Sequence, residues 1–89
     1  MHLTKALAAA LAPAVRVNSV SPGPVTTRLL RRLFGEQEAD AREAAFAQTT
    51  PLGRVALPDD VAEAALSFIR SDFLTGQDLI VDGGRHITY

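Results

Sequence analysis

The sequence predicts an α/β unit with two short parallel strands and three to four helices. Three observations carry this. A β-branched run, Val15, Val17 and Val20, empties into the turn Pro22-Gly23-Pro24. A second apolar run, Gln77 to Val81, ends in Asp82-Gly83-Gly84, and only helical patterns lie between the two. Strand, helices, strand in that order joins parallel neighbours through a crossover. Parallel sheets are stable with both faces covered, so a unit this small is expected to expose apolar surface when isolated.

Each element has its own signal. Leu3, Leu7, Ala10 and Leu11 recur at helical spacing, predicting a helix from the start to about Ala12 that Pro13 stops. Met1 opens directly into that pattern with no N-cap, as though an earlier part of the helix were missing. After the first strand the pattern turns helical from about Thr27 to Phe34, with Gly35 as its C-terminal cap. A second helix, about Glu36 to Gln48, is rich in Ala, Glu and Arg with few apolar anchors, which suits a mobile flap. Thr49 to Arg54 is a loop. Pro58-Asp59-Asp60 opens a helix, the acidic pair sitting at the positive end of its dipole, and Val61, Ala65, Phe68 and Ile69 form its buried stripe. Thr75-Gly76 turns the chain into the last strand.

Composition removes several function classes. At 89 residues and net charge −1, the chain carries no electrostatic footprint for nucleic acid or an anionic membrane. Its core is expected to be marginal at this length. The apolar run Ala6 to Val15 is interrupted by Pro13 and is too short to span a bilayer, and the first residues lack a secretory pattern, so a cytoplasmic location is expected. Without cysteine there are no disulfides and no thiolate chemistry. His2 and His86 are isolated imidazoles without ligand spacing, so no metal site is expected. Arg28, Arg31 and Arg32 form the one basic cluster, read as a solvated face beside Glu36 and Glu38.

Five segments in this order resemble the C-terminal part of the short-chain dehydrogenase/reductase family. They are Leu3 to Pro13, Val15 to Asn18, Pro22-Gly23 with Val25 and Thr27 in register, Pro51 to Arg54 with Pro58 to Ala62, and Thr75 to Gly84. The resemblance implies that residues 1–89 are one partial domain, the C-terminal part of a Rossmann-type doubly wound parallel sheet, with substrate-flap helices over about 27–48. It implies NAD or NADP as cofactor and a small carbonyl or alcohol as substrate. Pro22, Gly23, Val25 and Thr27 become the cofactor-binding residues: the turn approaches the nicotinamide closely, the Val25 backbone bonds the carboxamide, and the Thr27 hydroxyl lies near the carboxamide or pyrophosphate. Leu29, Leu30, Leu33 and Phe34 then either wall an apolar pocket or pack as core.

The family's Gly-rich loop, catalytic serine and Tyr-x-x-x-Lys pair have no counterparts in this sequence. Lys5 matches a position two turns beyond the catalytic lysine, which would fall four residues before Met1, and Tyr89 has no lysine four residues on. Asn18 is expected to satisfy backbone rather than take part in chemistry. The link Ser71 to Thr75 is shorter than the family's usual one, which leaves the packing of that corner open. No catalytic residue is therefore assigned, and dinucleotide binding by the chain alone is expected to be weak or absent. The expected partners are a second copy or the missing N-terminal part of the fold. The rival readings are a non-catalytic interaction fragment pairing with a full-length relative, and a decayed remnant.

Overall fold

A computed structural model describes residues 2–88. Met1 and Tyr89, on which the uncapped start and the terminal tyrosine were read, lie outside the described residues. The elements run α1 (His2–Leu11), β1 (Ser19–Pro22), α2 (Arg28–Gln48), α3 (Pro58–Arg70) and β2 (Asp78–Val81), followed by a 3-10 turn over Arg85–Ile87. The strands are parallel, with Ser19 opposite Asp78 and Pro22 opposite Val81.

The first strand begins later than its valines suggest. Residues 16–18 are drawn off to the link before β2 instead of entering the ladder. The Arg16 guanidinium donates to the carbonyls of Phe68 (2.7 Å), Ser71 (2.6 Å) and Leu74 (3.3 Å), the first two at the C-terminal end of α3 where helical carbonyls lack partners. The Val17 N–H donates to Thr75 Oγ1, and Asn18 bonds both the Leu74 carbonyl and the Gln77 N–H. Asn18 thus satisfies backbone, as expected, and the short link is tied to residues 16–18 by several hydrogen bonds. At its other end β1 includes Pro22, which is tolerated there because a terminal strand residue need not donate to the ladder.

Ser19 and Ser21 project from the same face of β1, and both hydroxyls donate to Asp78 Oδ1, at 2.8 and 2.9 Å. The paired donors hold the Asp78 carboxyl below the usual carboxylate range, Ser19 contributing most.

Helix α2 is two arms, not one rod. Gly35 sits at φ 80°, ψ 165°, a break that glycine tolerates, at the position where the sequence predicted the first helix to end, although this is not the left-handed geometry of a glycine cap. The proximal arm is Arg28–Phe34 and the distal arm residues 36–48. Arg31 reaches Glu43, which a continuous helix would place about 18 Å along the axis.

Close packing joins α3 to the two strands, and α1 touches the rest through Ala8 near Gly76. Among the described residues only Ala8 and Ala39 are buried apolar side chains. Leu3, Leu7, Leu11, Val15 and Ile69 are exposed. The predicted buried stripe of α3 is therefore not buried: Val61, Ala65 and Phe68 are half-buried and Ile69 is exposed, because a two-stranded sheet is too narrow to cover the helix. None of the described helices is long and apolar enough to cross a membrane.

Candidate functional site

Because β1 and β2 are parallel, both end at the same edge, where open α/β sheets hold ligands. The ladder's last bond runs from the Gly23 N–H to the Val81 carbonyl at 3.1 Å. A Cβ on Gly23 would stand 2.7 Å from Asp82 Cβ and 3.2 Å from its Cα, so the glycine is required by the neighbouring strand end.

Beyond the turn, Val25 forms a parallel bridge with Ala56. The bridge is made by the groups flanking Val25: Ala56 N–H donates to the Pro24 carbonyl (3.0 Å) and Thr26 N–H to the Ala56 carbonyl (2.9 Å). Alternate residues of an extended chain present their polar groups to opposite sides. Val25 therefore directs its own N–H and C=O away from Ala56, and neither has a hydrogen-bond partner among the described residues. Thr27 is the N-cap of α2, its Oγ1 accepting from the Leu30 N–H at 3.2 Å.

The arms of α2 are clasped by charge. Arg31 bonds Glu36 at 2.5 Å, Asp40 at 2.8 Å and Glu43 at 3.2 Å. Its guanidinium pKa is raised, chiefly by the Asp40 and Glu36 hydrogen bonds. Glu43 also accepts a hydrogen bond from Thr26 Oγ1. Glu38 pairs with Arg42, not with the predicted basic cluster, and the Arg42 guanidinium lies 4.1 Å from the Phe34 ring centroid. Leu29 and Leu33 are exposed and Leu30 is half-buried, so the apolar cluster of the proximal arm is not core in this chain.

The far side of the edge is built by residues that sequence reasoning passed over. Asp82 accepts from the N–H groups of Gly84 (3.0 Å) and His86 (2.9 Å) and from His86 Nδ1 (2.9 Å). Burial alone would raise the Asp82 carboxyl; the bonds from His86 and Gly84 outweigh it and leave it lowered. The one available cue was the Asp-Gly-Gly turn, whose leading side chain commonly bonds backbone just ahead of it. Arg54 forms a two-bond pair with Asp60, and Asp60 also accepts from the Leu57 N–H at 2.7 Å, holding its carboxyl down to about 2. Arg54 and Asp60 line a cavity of about 130 Å³ with Leu52, Ala56, Val81 and Gly83. That is below the ~300 Å³ of an ordinary ligand pocket, so a dinucleotide would have to lie across the open edge.

No group of three or more His, Asp or Glu among the described residues is placed to hold a metal. Lys5 is exposed on α1, outside this edge.

Parallel strands that end together at an open edge, crossed over through helices, place the chain among the open α/β-sheet folds. The family model described as enoyl-(acyl carrier protein) reductase matches residues 1–86. The chain belongs to the short-chain dehydrogenase/reductase family. It is 43% identical to the 4-formylbenzenesulfonate dehydrogenase of Comamonas testosteroni, over 98% of this chain and 36% of that protein. Among solved structures it resembles the MalC reductase/Diels-Alderase of Malbranchea aurantiaca, at TM-score 0.88 and 36% identity over 97% of this chain and 32% of that one. It also resembles a small-chain dehydrogenase solved with NADPH, at TM-score 0.87 and 35% identity over 97% of this chain and 38% of that one. The chain spans about a third of the length of these relatives and matches their C-terminal portion. Its fold is accordingly the C-terminal part of a Rossmann-type sheet.

Proposed function

We propose that this chain is the cofactor-closing part of an NAD(P)-dependent oxidoreductase that moves a hydride between a nicotinamide and a carbonyl or alcohol substrate. The observation that carries this reading is Val25, whose N–H and C=O stand free at the C-terminal edge of the sheet. A carboxamide offers an acceptor oxygen and donor N–H groups, so one extended residue can engage both ends and fix which face of the ring is presented. When bound, the nicotinamide supplies or accepts the hydride.

The chain's other residues have supporting roles. Pro22 and Gly23 set the height of the turn, and Gly23 keeps it close to Asp82. The Thr27 oxygen is engaged as a helix cap, but its proton remains free to donate. The α2 N-terminus beside it favours negative charge, which suits a pyrophosphate. Leu29, Leu33 and Phe34 would exclude water from the reacting groups. Reduction of a carbonyl needs a proton donor at oxygen. The family's tyrosine and lysine have no counterparts in this sequence, so the proton comes from a complementary N-terminal part of the fold and the chain alone is inactive.

The exposed stripe Leu3, Leu7, Leu11 and Val15 and the unpaired edge of β1 support pairing with such a part, or with a second copy. The same surfaces favour the second reading, an interaction fragment that pairs without catalysis. The test is a chimera in which this chain replaces the matching third of the Comamonas dehydrogenase. Hydride transfer is expected, and Val25→Pro, which deletes the free N–H but keeps both Ala56 bonds, should raise the cofactor KM about tenfold. A folded, active chimera whose cofactor KM ignores Val25→Pro refutes the Val25 assignment. A folded chimera that binds but never turns over favours the interaction fragment.

A further inference from the structure

We infer that Arg31 and Glu43 are positioning residues, joined to Thr26 in a latch that ties the closure of the two arms of α2 to the backbone carrying Val25. The meaning of this latch for catalysis rests on the proposed role of Val25; its existence does not. Three facts place it. Gly35 breaks α2, so its arms have no continuous backbone ladder to hold their angle. Glu36, Asp40 and Glu43 follow at helical spacing on the distal arm, three like charges that repel one another on one face. Arg31, from the proximal arm, is the cation that gathers all three. With Arg31 in place the arms close, and Glu43 is brought to Thr26, one residue from Val25.

Glu43 is divided between two tasks. Oε2 takes Arg31 and Oε1 takes the Thr26 hydroxyl. Both residues of the second bond are partly shielded from water, Glu43 with a side chain 20% exposed. Thr26 in turn donates its N–H to Ala56, the bond that aims the Val25 groups outward. The distal arm and the candidate cofactor contact therefore share one carboxylate.

The experiment measures amide hydrogen exchange in the 89-residue chain, comparing the Thr26 N–H with the Gly76 N–H, which bonds the Val17 carbonyl at the opposite end of the sheet. Thr26→Val should speed exchange at Thr26 about tenfold, the loss expected for one charge-assisted hydrogen bond, and leave Gly76 unchanged. Thr26→Ser, which keeps the hydroxyl, should restore protection. Arg31→Met should reproduce the effect, and Thr26→Val with Arg31→Met should be no worse than Thr26→Val alone, because the two act in series. Unchanged Thr26 exchange in Arg31→Met, additive effects in the double variant, or equal loss at Gly76 would each overturn the latch. If instead Thr26 responds as expected while Val25→Pro leaves the chimera's cofactor KM unmoved, the latch stands and the cofactor role of Val25 falls.

Discussion

The two ends of the β1–β2 pair are built on opposite rules. At the end where the strands begin, Arg16, Val17 and Asn18 spend their polar groups on carbonyls, an N–H and a hydroxyl of residues 68–77. At the end where they finish, Gly23 is pressed against Asp82 and Val25 keeps its N–H and C=O unpaired. The unpaired Val25 groups are what the proposed cofactor contact uses, and the opposite corner, whose polar groups bond one another, offers no equivalent among the described residues. The beginning end is scaffold.

Substitutions at the two ends should therefore separate stability from ligand response. Gly23→Ala should have the largest effect, about 1–3 kcal/mol of destabilisation, because the added methyl meets Asp82 backbone and Cβ atoms that cannot swing aside. A melting temperature equal to wild type would show that the strand ends part more easily than this contact implies. Arg16→Met should cost about 1–2 kcal/mol through the carbonyls it strands, while leaving the chimera's cofactor KM unchanged. A shifted KM would break the division between scaffold and site. Thr27→Ala should cost about 1 kcal/mol as a lost helix cap and also weaken cofactor positioning; Thr27→Ser should restore both.

Acid offers the mildest discrimination. The Asp60 carboxyl is held near 2 in the folded chain against an ordinary 3.8, so the unfolded chain binds more protons between those values. Its contribution is present above about pH 4 and is lost as pH falls toward 2. Asp82, also at the finishing end, and Asp78, in the ladder, are lowered in the same direction. The melting temperature should drop across that window, and Asp60→Asn should flatten part of the drop. An Asp60→Asn chain with an unaltered pH profile would remove the Arg54–Asp60 pair from the stability of that end.

What could be read in the sequence was local. Pro58-Asp59-Asp60 announced a helix start, Gly35 a break, and Asn18 a side chain for backbone duty, because each rests on chemistry within a few residues. The parallel order followed from strands separated by helices alone. The Arg16 clamp was not legible, since its partners lie 52 to 58 residues away and nothing in Val-Arg-Val distinguishes a clamp from a strand residue. The same blindness applied to Glu43, an ordinary solvent-face glutamate until Gly35 folds it back onto Thr26. At the candidate site, Pro22, Gly23, Val25 and Thr27 were singled out through family resemblance. The free state of the Val25 backbone became visible only once Ala56 was seen to occupy its neighbours.

The two serines that share Asp78 act as a ruler for the whole edge. In a parallel pair nothing in the evenly spaced backbone bonds forbids sliding one strand along the other. A slip of one residue, about 3.3 Å, would turn Asp78 to the opposite face and leave both Ser19 and Ser21 without their acceptor. It would also carry Asp82 out of register with Gly23, whose lack of a Cβ is what lets the two strand ends meet. A few side-chain hydrogen bonds at the strands' beginning thus calibrate, four residues on, the level at which the Pro-Gly turn leaves the sheet.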